Sequence, residues 1–148
     1  MENTRIIDLN AIVKNLFKLP IVINVLFDYI YINDLVEVID WFIHNDNKEK
    51  IYNVTAGSKI DLVSLANLIN ETSEYKSEIH ILNDGLNNEY TSNNRKLLKE
   101  IGDFNFTSHR DAIINMREYF SYNFEKLDKD IITNDPYLKK INNMWKGK

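Results

Sequence analysis

The sequence predicts an α/β fold, a small sheet of short strands covered by about five helices. Two observations carry that reading. Apolar periodicity switches repeatedly between two and three-to-four residues along the chain, giving the order αββαβαβαα. The switches also coincide with residues that start or stop helices: Asp34, Asp61, Gly102 and Ser108. Residues 1–122 read as one domain and residues 123–148 as a polar, partly helical tail.

In "IIDLNAIVKNLFKL", Ile6, Leu9, Ile12, Val13, Leu16 and Phe17 share one helical face, and Pro20 ends the run. "IVINVL" reads as a strand rich in branched side chains, and "FDYIYI" as a second strand with Tyr29 and Tyr31 on one face. At Asp34 the period changes. Its carboxylate is placed to cap a helix, Glu37 completes a capping box, and Leu35, Val38, Ile39 and Phe42 form the inner stripe. Trp41 falls on the outer face, where a large aromatic suits a contact surface and equally suits core packing.

"IYNV" (51–54) reads as a strand and "TAGSK" as a turn in which Gly57 takes positive φ. Asp61 caps the next helix, whose inner face is Leu62, Leu65, Ala66 and Ile69. "EIHIL" reads as a strand, "NDGLNNE" as a loop, and "NNRKLLKEIG" as a short helix stopped by Gly102. "SHRD" caps a last strong helix through Phe120, with Ile113, Met116 and Phe120 inside.

Composition excludes several functions. A formal net charge of -4 argues against a nucleic-acid or anionic-membrane surface. The chain has no cysteine, so it has neither disulfides nor thiolate metal sites, which is compatible with a reducing compartment. No apolar run reaches the ~20 residues that span a bilayer, and the N-terminus does not read as a signal peptide; a cytoplasmic location is expected. With glycine only at Gly57, Gly85, Gly102 and Gly147, no glycine-rich loop can cradle a pyrophosphate. His44, His80 and His109 lie on separate elements without a second ligand one turn away, so no metal site is expected. Tyr122 and Lys126 stand one helical turn apart, a spacing that also arises by chance in a chain rich in both; no catalytic residue is assigned. Asp28 reads as an acid facing water.

Three stretches carry a resemblance: "FDYIYINDLVEVIDWFI", "IYNVTAGSKIDLVSLANLI" and "NNEYTSNNRKLLKEIGDFNFTSHRDAI". In this order and spacing they resemble the C-terminal lobe of extended short-chain dehydrogenases/reductases, the NAD(P)-dependent sugar-nucleotide epimerases and dehydratases. The resemblance covers roughly residues 5–122. It implies the substrate-side lobe of such an enzyme, with the Rossmann domain, its catalytic residues and the NAD(P) site outside this chain, as in a fragment or a shortened gene. Alone, the lobe is then expected neither to turn over substrate nor to bind NAD(P). Asn88 and Glu89 correspond to the family's ribose-side segment, Glu89 as acceptor of ribose hydroxyls. Where relatives carry an arginine toward the nucleotide diphosphate, this chain has Phe27. A sugar nucleotide and a separately encoded Rossmann half are the implied partners. The face that would meet that half is expected to be apolar and uncovered, which favours a homodimer. The alternative is a free-standing, non-catalytic interaction module that kept the lobe's fold.

Overall fold

The computed structural model describes residues 20–21, 24–74, 76–81, 84–134 and 136. The helix expected over residues 6–19 lies outside the described residues, as does the tail beyond 136. Element order is β1 (Pro20–Ile21), β2 (Asn24–Phe27), α1 (Ile32–His44), β3 (Ile60–Asp61), α2 (Leu62–Thr72), β4 (His80–Ile81), β5 (Leu86–Tyr90), α3 (Arg95–Ile101), α4 (His109–Tyr122), a 3-10 turn (Phe124–Lys126) and α5 (Lys129–Asn134).

The α/β architecture is as expected, with a mixed sheet of order β3-β2-β5 and a parallel pair β1-β4. Strand β2 is central, antiparallel to β3 and parallel to β5. Helix α2 packs on β2 and against α4.

Three local expectations are overturned. The second expected strand, 27–32, does not form: β2 ends at Phe27 and the chain enters α1 at Ile32. Its neighbours explain the stop, because the ladder to β3 and β5 runs out at Phe27, paired with Ile60 and Tyr90. "IYNV" forms no strand either. Side chains fix this stretch instead: the Tyr52 ring lies 4.9 Å from Phe42, and the Asn53 amide donates to the Asn93 carbonyl at 3.3 Å. "NDGLNNE", read as a loop, supplies most of β5. All five residues of β5 are exposed, so no apolar alternation betrays the strand; the backbone ladder to β2 makes it.

The fully buried core is thin. Among the described residues, Val38 at 1% and Leu97 at 0% exposure are its buried apolar members. Val38 belongs to the stripe expected for α1, whose Leu35 and Phe42 are half-buried; Ile39, expected with them, is 50% exposed. Trp41, expected outside, is half-buried with its ring edge-on to Phe42. On α4, Ile113 is half-buried, but Met116 and Phe120 are exposed rather than inside. The caps of α2 and α4 form as expected: Asp61 accepts from the Ser64 N–H at 3.0 Å and Ser108 from the Asp111 N–H at 3.1 Å. Gly102 ends α3 at φ +82°, donating its N–H to the Leu98 carbonyl at 2.9 Å.

Candidate functional site

Polar bonds between distant segments do much of the positioning. Asp34 is not a cap. The N-cap of α1 is Tyr31, which no side chain caps, so the Asp34–Glu37 capping box is absent. In the first turn of the helix, the Asp34 side chain faces inward and is 4% exposed. It accepts the Thr107 N–H at 2.8 Å and the Thr107 hydroxyl at 2.6 Å, bolting the start of α1 to the segment that enters α4. A carboxylate that accepts two bonds at once can sit in a nearly dry place.

Similar bonds fix the strand ends. Asp28, half-buried rather than a free surface acid, accepts the Ser92 N–H at 2.8 Å. Asn94, 9% exposed, donates its amide to the Thr55 carbonyl at 2.9 Å. Gly57, at φ +72°, leaves room for it: a Cβ there would stand 2.9 Å from Asn94 Nδ2. The three stretches that carry the family resemblance are thus bonded to one another. Asp28 and Asp34 come from the first, Thr55 and Gly57 from the second, Ser92, Asn94 and Thr107 from the third.

At the carboxyl ends of the parallel β2–β5 pair, three rings gather. Phe27 stacks on Tyr90 with centroids 5.6 Å apart and planes at 17°, and Tyr29 lies 5.2 Å away on a tilt. Tyr90 is 60% and Tyr29 40% exposed, so the cluster presents aromatic surface to solvent. Partial burial pushes the Tyr29 phenol above its ordinary pKa, so it stays protonated and able to donate. In open α/β sheets the crevice beyond the carboxyl ends of parallel strands is a common ligand position.

Of the two residues assigned from the sequence, Glu89 sits in a polar cluster and Asn88 does not. Glu89 pairs with Lys59 and accepts the Thr91 hydroxyl. The Lys59 hydrogen bond first, then Thr91, holds its carboxyl below the usual range, so it is ionised at neutral pH. Strand alternation puts Glu89 and Tyr90 on opposite faces of β5, so the acid points away from the face that carries the rings. Asn88 is exposed, its N–H turned to the Asn87 side chain at 2.7 Å. Lys59 and Tyr90 escaped the sequence reading because each needs the β3-β2-β5 register to meet its neighbours. The polar run "YTSNNR" was the available signal for Ser92 and Asn94.

His44 and His109 lie apart, each with surroundings of its own. His44 Nδ1 lies 2.9 Å from the Asp40 carbonyl oxygen on the exposed end of α1. Burial lowers the His109 pKa and keeps that ring neutral at pH 7. Among the described residues no group of histidine and acidic side chains could hold a metal ion. Lys126 donates to Asn123 at 2.9 Å, and Tyr122 is 88% exposed at the end of α4. No helix among the described residues is long and apolar enough to cross a membrane. Compared with protein-family models, curated proteins and solved structures, the chain matches none.

Proposed function

We propose that this chain is the substrate-side lobe of an NAD(P)-dependent sugar-nucleotide epimerase/dehydratase-like enzyme. The observation that carries the reading is the convergence of the three resembling stretches, joined through Asp34–Thr107, Asn94–Thr55 and Asp28–Ser92. Pieces that resembled the lobe only in order and spacing are, in space, one unit. The dinucleotide and the hydride-transfer residues would belong to a Rossmann-type half, and this lobe would shape the pocket and exclude water.

Phe27 gives the pocket a particular character. An arginine would grip a diphosphate through paired N–H donors, which a phenyl ring cannot do. The Phe27–Tyr29–Tyr90 cluster instead offers flat apolar faces to a sugar or a base, with the Tyr29 hydroxyl at the edge.

A thermal-shift panel of UDP-, GDP- and dTDP-sugars tests the reading. One sugar nucleotide should raise the midpoint, and Tyr90→Ala should abolish the rise. Titration calorimetry with NAD(P) should give no heat; micromolar binding would overturn the assignment. A flat sugar-nucleotide panel would favour the second reading, a non-catalytic interaction module. That reading is supported by the same exposed aromatics, which suit the centre of a protein interface.

A further inference from the structure

The first residue of α4 is His109, half-buried, with its Nε2 atom shut off from solvent and without a hydrogen-bond partner among the described residues. Ser108, before it, caps the helix, and Thr107, before that, donates its N–H and hydroxyl to Asp34. Thr107, Ser108 and His109 thus carry, in turn, the join to α1, the cap of α4 and an orphaned imidazole nitrogen. A neutral ring tolerates this place with one hydrogen bond unmade. A charged ring does not. Nε2 would hold a proton without an acceptor, in a dry position, at the helix end where the dipole opposes positive charge.

The acids around the ring are already engaged. Asp34 of α1 holds Thr107 with both carboxylate oxygens. Asp111 accepts the Ser108 hydroxyl at 2.6 Å. From α2, which packs on α4, the one titratable side chain is Glu71, paired with Arg110 at 3.4 Å. Asp103, on the segment leading in, is exposed. Arg117 and Glu118 stand two turns along α4, and Glu125 and Lys126 follow its far end.

We propose that His109 is an acid-sensitive latch, whose protonation releases the start of α4 from α1. The charged ring gains an acceptor by leaving its place or by drawing Asp34 or Asp111 from their partners. Leaving pulls on Ser108 and Thr107, taking Asp34 opens the join, and taking Asp111 loosens the cap. Burial holds the His109 pKa below its ordinary 6.5, so release falls on the acid side of that value. A histidine depressed in the folded state contributes stability that is fully present above its unfolded pKa and is lost as pH falls through the folded one.

NMR of the full chain without ligand, from about pH 8 to about pH 5, tests this, and its outcome is independent of the sugar-nucleotide reading. The His109 ring should titrate below the ordinary imidazole value. With the same midpoint, the Thr107 and Asp111 amides, which donate to Asp34 and Ser108, should lose hydrogen-exchange protection. The Gly102 amide, bonded to Leu98 at the end of α3, should keep its own. His109→Phe puts carbon where the orphaned nitrogen stood. Its urea midpoint should fall less on acidification than that of the wild type. A ring that titrates at or above the ordinary value, or stays neutral throughout the range, overturns the proposal. So does a ring that titrates while Thr107 keeps its protection, or a His109→Phe chain as acid-sensitive as the wild type. Should His109→Phe fail to fold, the wild-type titration decides.

Discussion

Two joins between strand and helix carry an aspartate each, and the two aspartates fix different things. At the second join Asp61 works locally: it accepts from the Ser64 N–H at 3.0 Å and from the Ser64 hydroxyl at 2.5 Å, closing the first turn of α2. At the first join Asp34 ignores its own helix end and reaches the Thr107 backbone and hydroxyl, far along the chain. One stabilises an element and the other positions an element. With so few fully buried apolar side chains among the described residues, the relative placement of α1 and α4 leans on such directional bonds as well as on apolar contact.

The largest expected effect separates the two roles. Asp34→Ala removes two acceptors from a buried place and strands the Thr107 donors, so urea unfolding should report a loss of about 2–4 kcal/mol. Thr107→Val should lose less, and the double variant should lose less than the sum of the two, because the pair is one interaction. Strict additivity would mean that Asp34 and Thr107 act independently, and the contrast between the joins would collapse. Next in size is Gly57→Ala in the turn before the second join. A side chain at φ +72° is strained and its Cβ would press on Asn94 Nδ2. A cost of about 1–3 kcal/mol is expected, partly relieved when Asn94 is shortened to Ala.

The same pair of residues explains what was legible in the sequence. Asp61, Ser108 and Gly102 act within one turn of their own position, so a pattern of neighbours identifies them. Asp34 has an equally good local pattern, with Glu37 three residues on, yet a distant Thr107 outcompetes the local N–H groups once the side chain is buried. The strand at Leu86–Tyr90 was invisible for the complementary reason, since an exposed polar edge is made by backbone pairing that side chains do not advertise. "IYNV" misled in the other direction: Tyr52 alone packs against Phe42 and under Lys96, Ile51 is exposed, and no ladder forms. At the candidate site the acid Glu89 could be picked out, but its Lys59 partner and the Phe27–Tyr90 stack exist only through the sheet register.

A smaller effect sharpens the local half of the comparison. Asp61→Ala removes a helix cap and should cost about 1 kcal/mol. The bond from the Ser64 side chain, ahead of the Ser64 N–H and Asn24, lowers the Asp61 pKa from 3.8 to about 2. A carboxyl depressed in the folded state contributes stability that is fully present above its unfolded pKa and is lost as pH falls through the folded one. The gap between wild type and Asp61→Ala should therefore be constant above about pH 5 and narrow toward pH 2. A gap that does not change between those limits would mean that Asp61 contributes nothing through its charge.

The smallest effect is expected where two charges meet in the open. Lys59, the residue before β3, pairs with Glu89 of β5, but both side chains are about half exposed, and water competes for each of them. Lys59→Met should leave the unfolding midpoint within the scatter of replicate titrations. It should still register at Glu89, because Lys59 is the main cause of that lowered pKa. Followed by carboxyl NMR, Glu89 should titrate higher in Lys59→Met, back toward the ordinary glutamate range, with the Thr91 hydroxyl holding part of the depression. An unmoved Glu89 would mean that the lysine does not hold its place in solution.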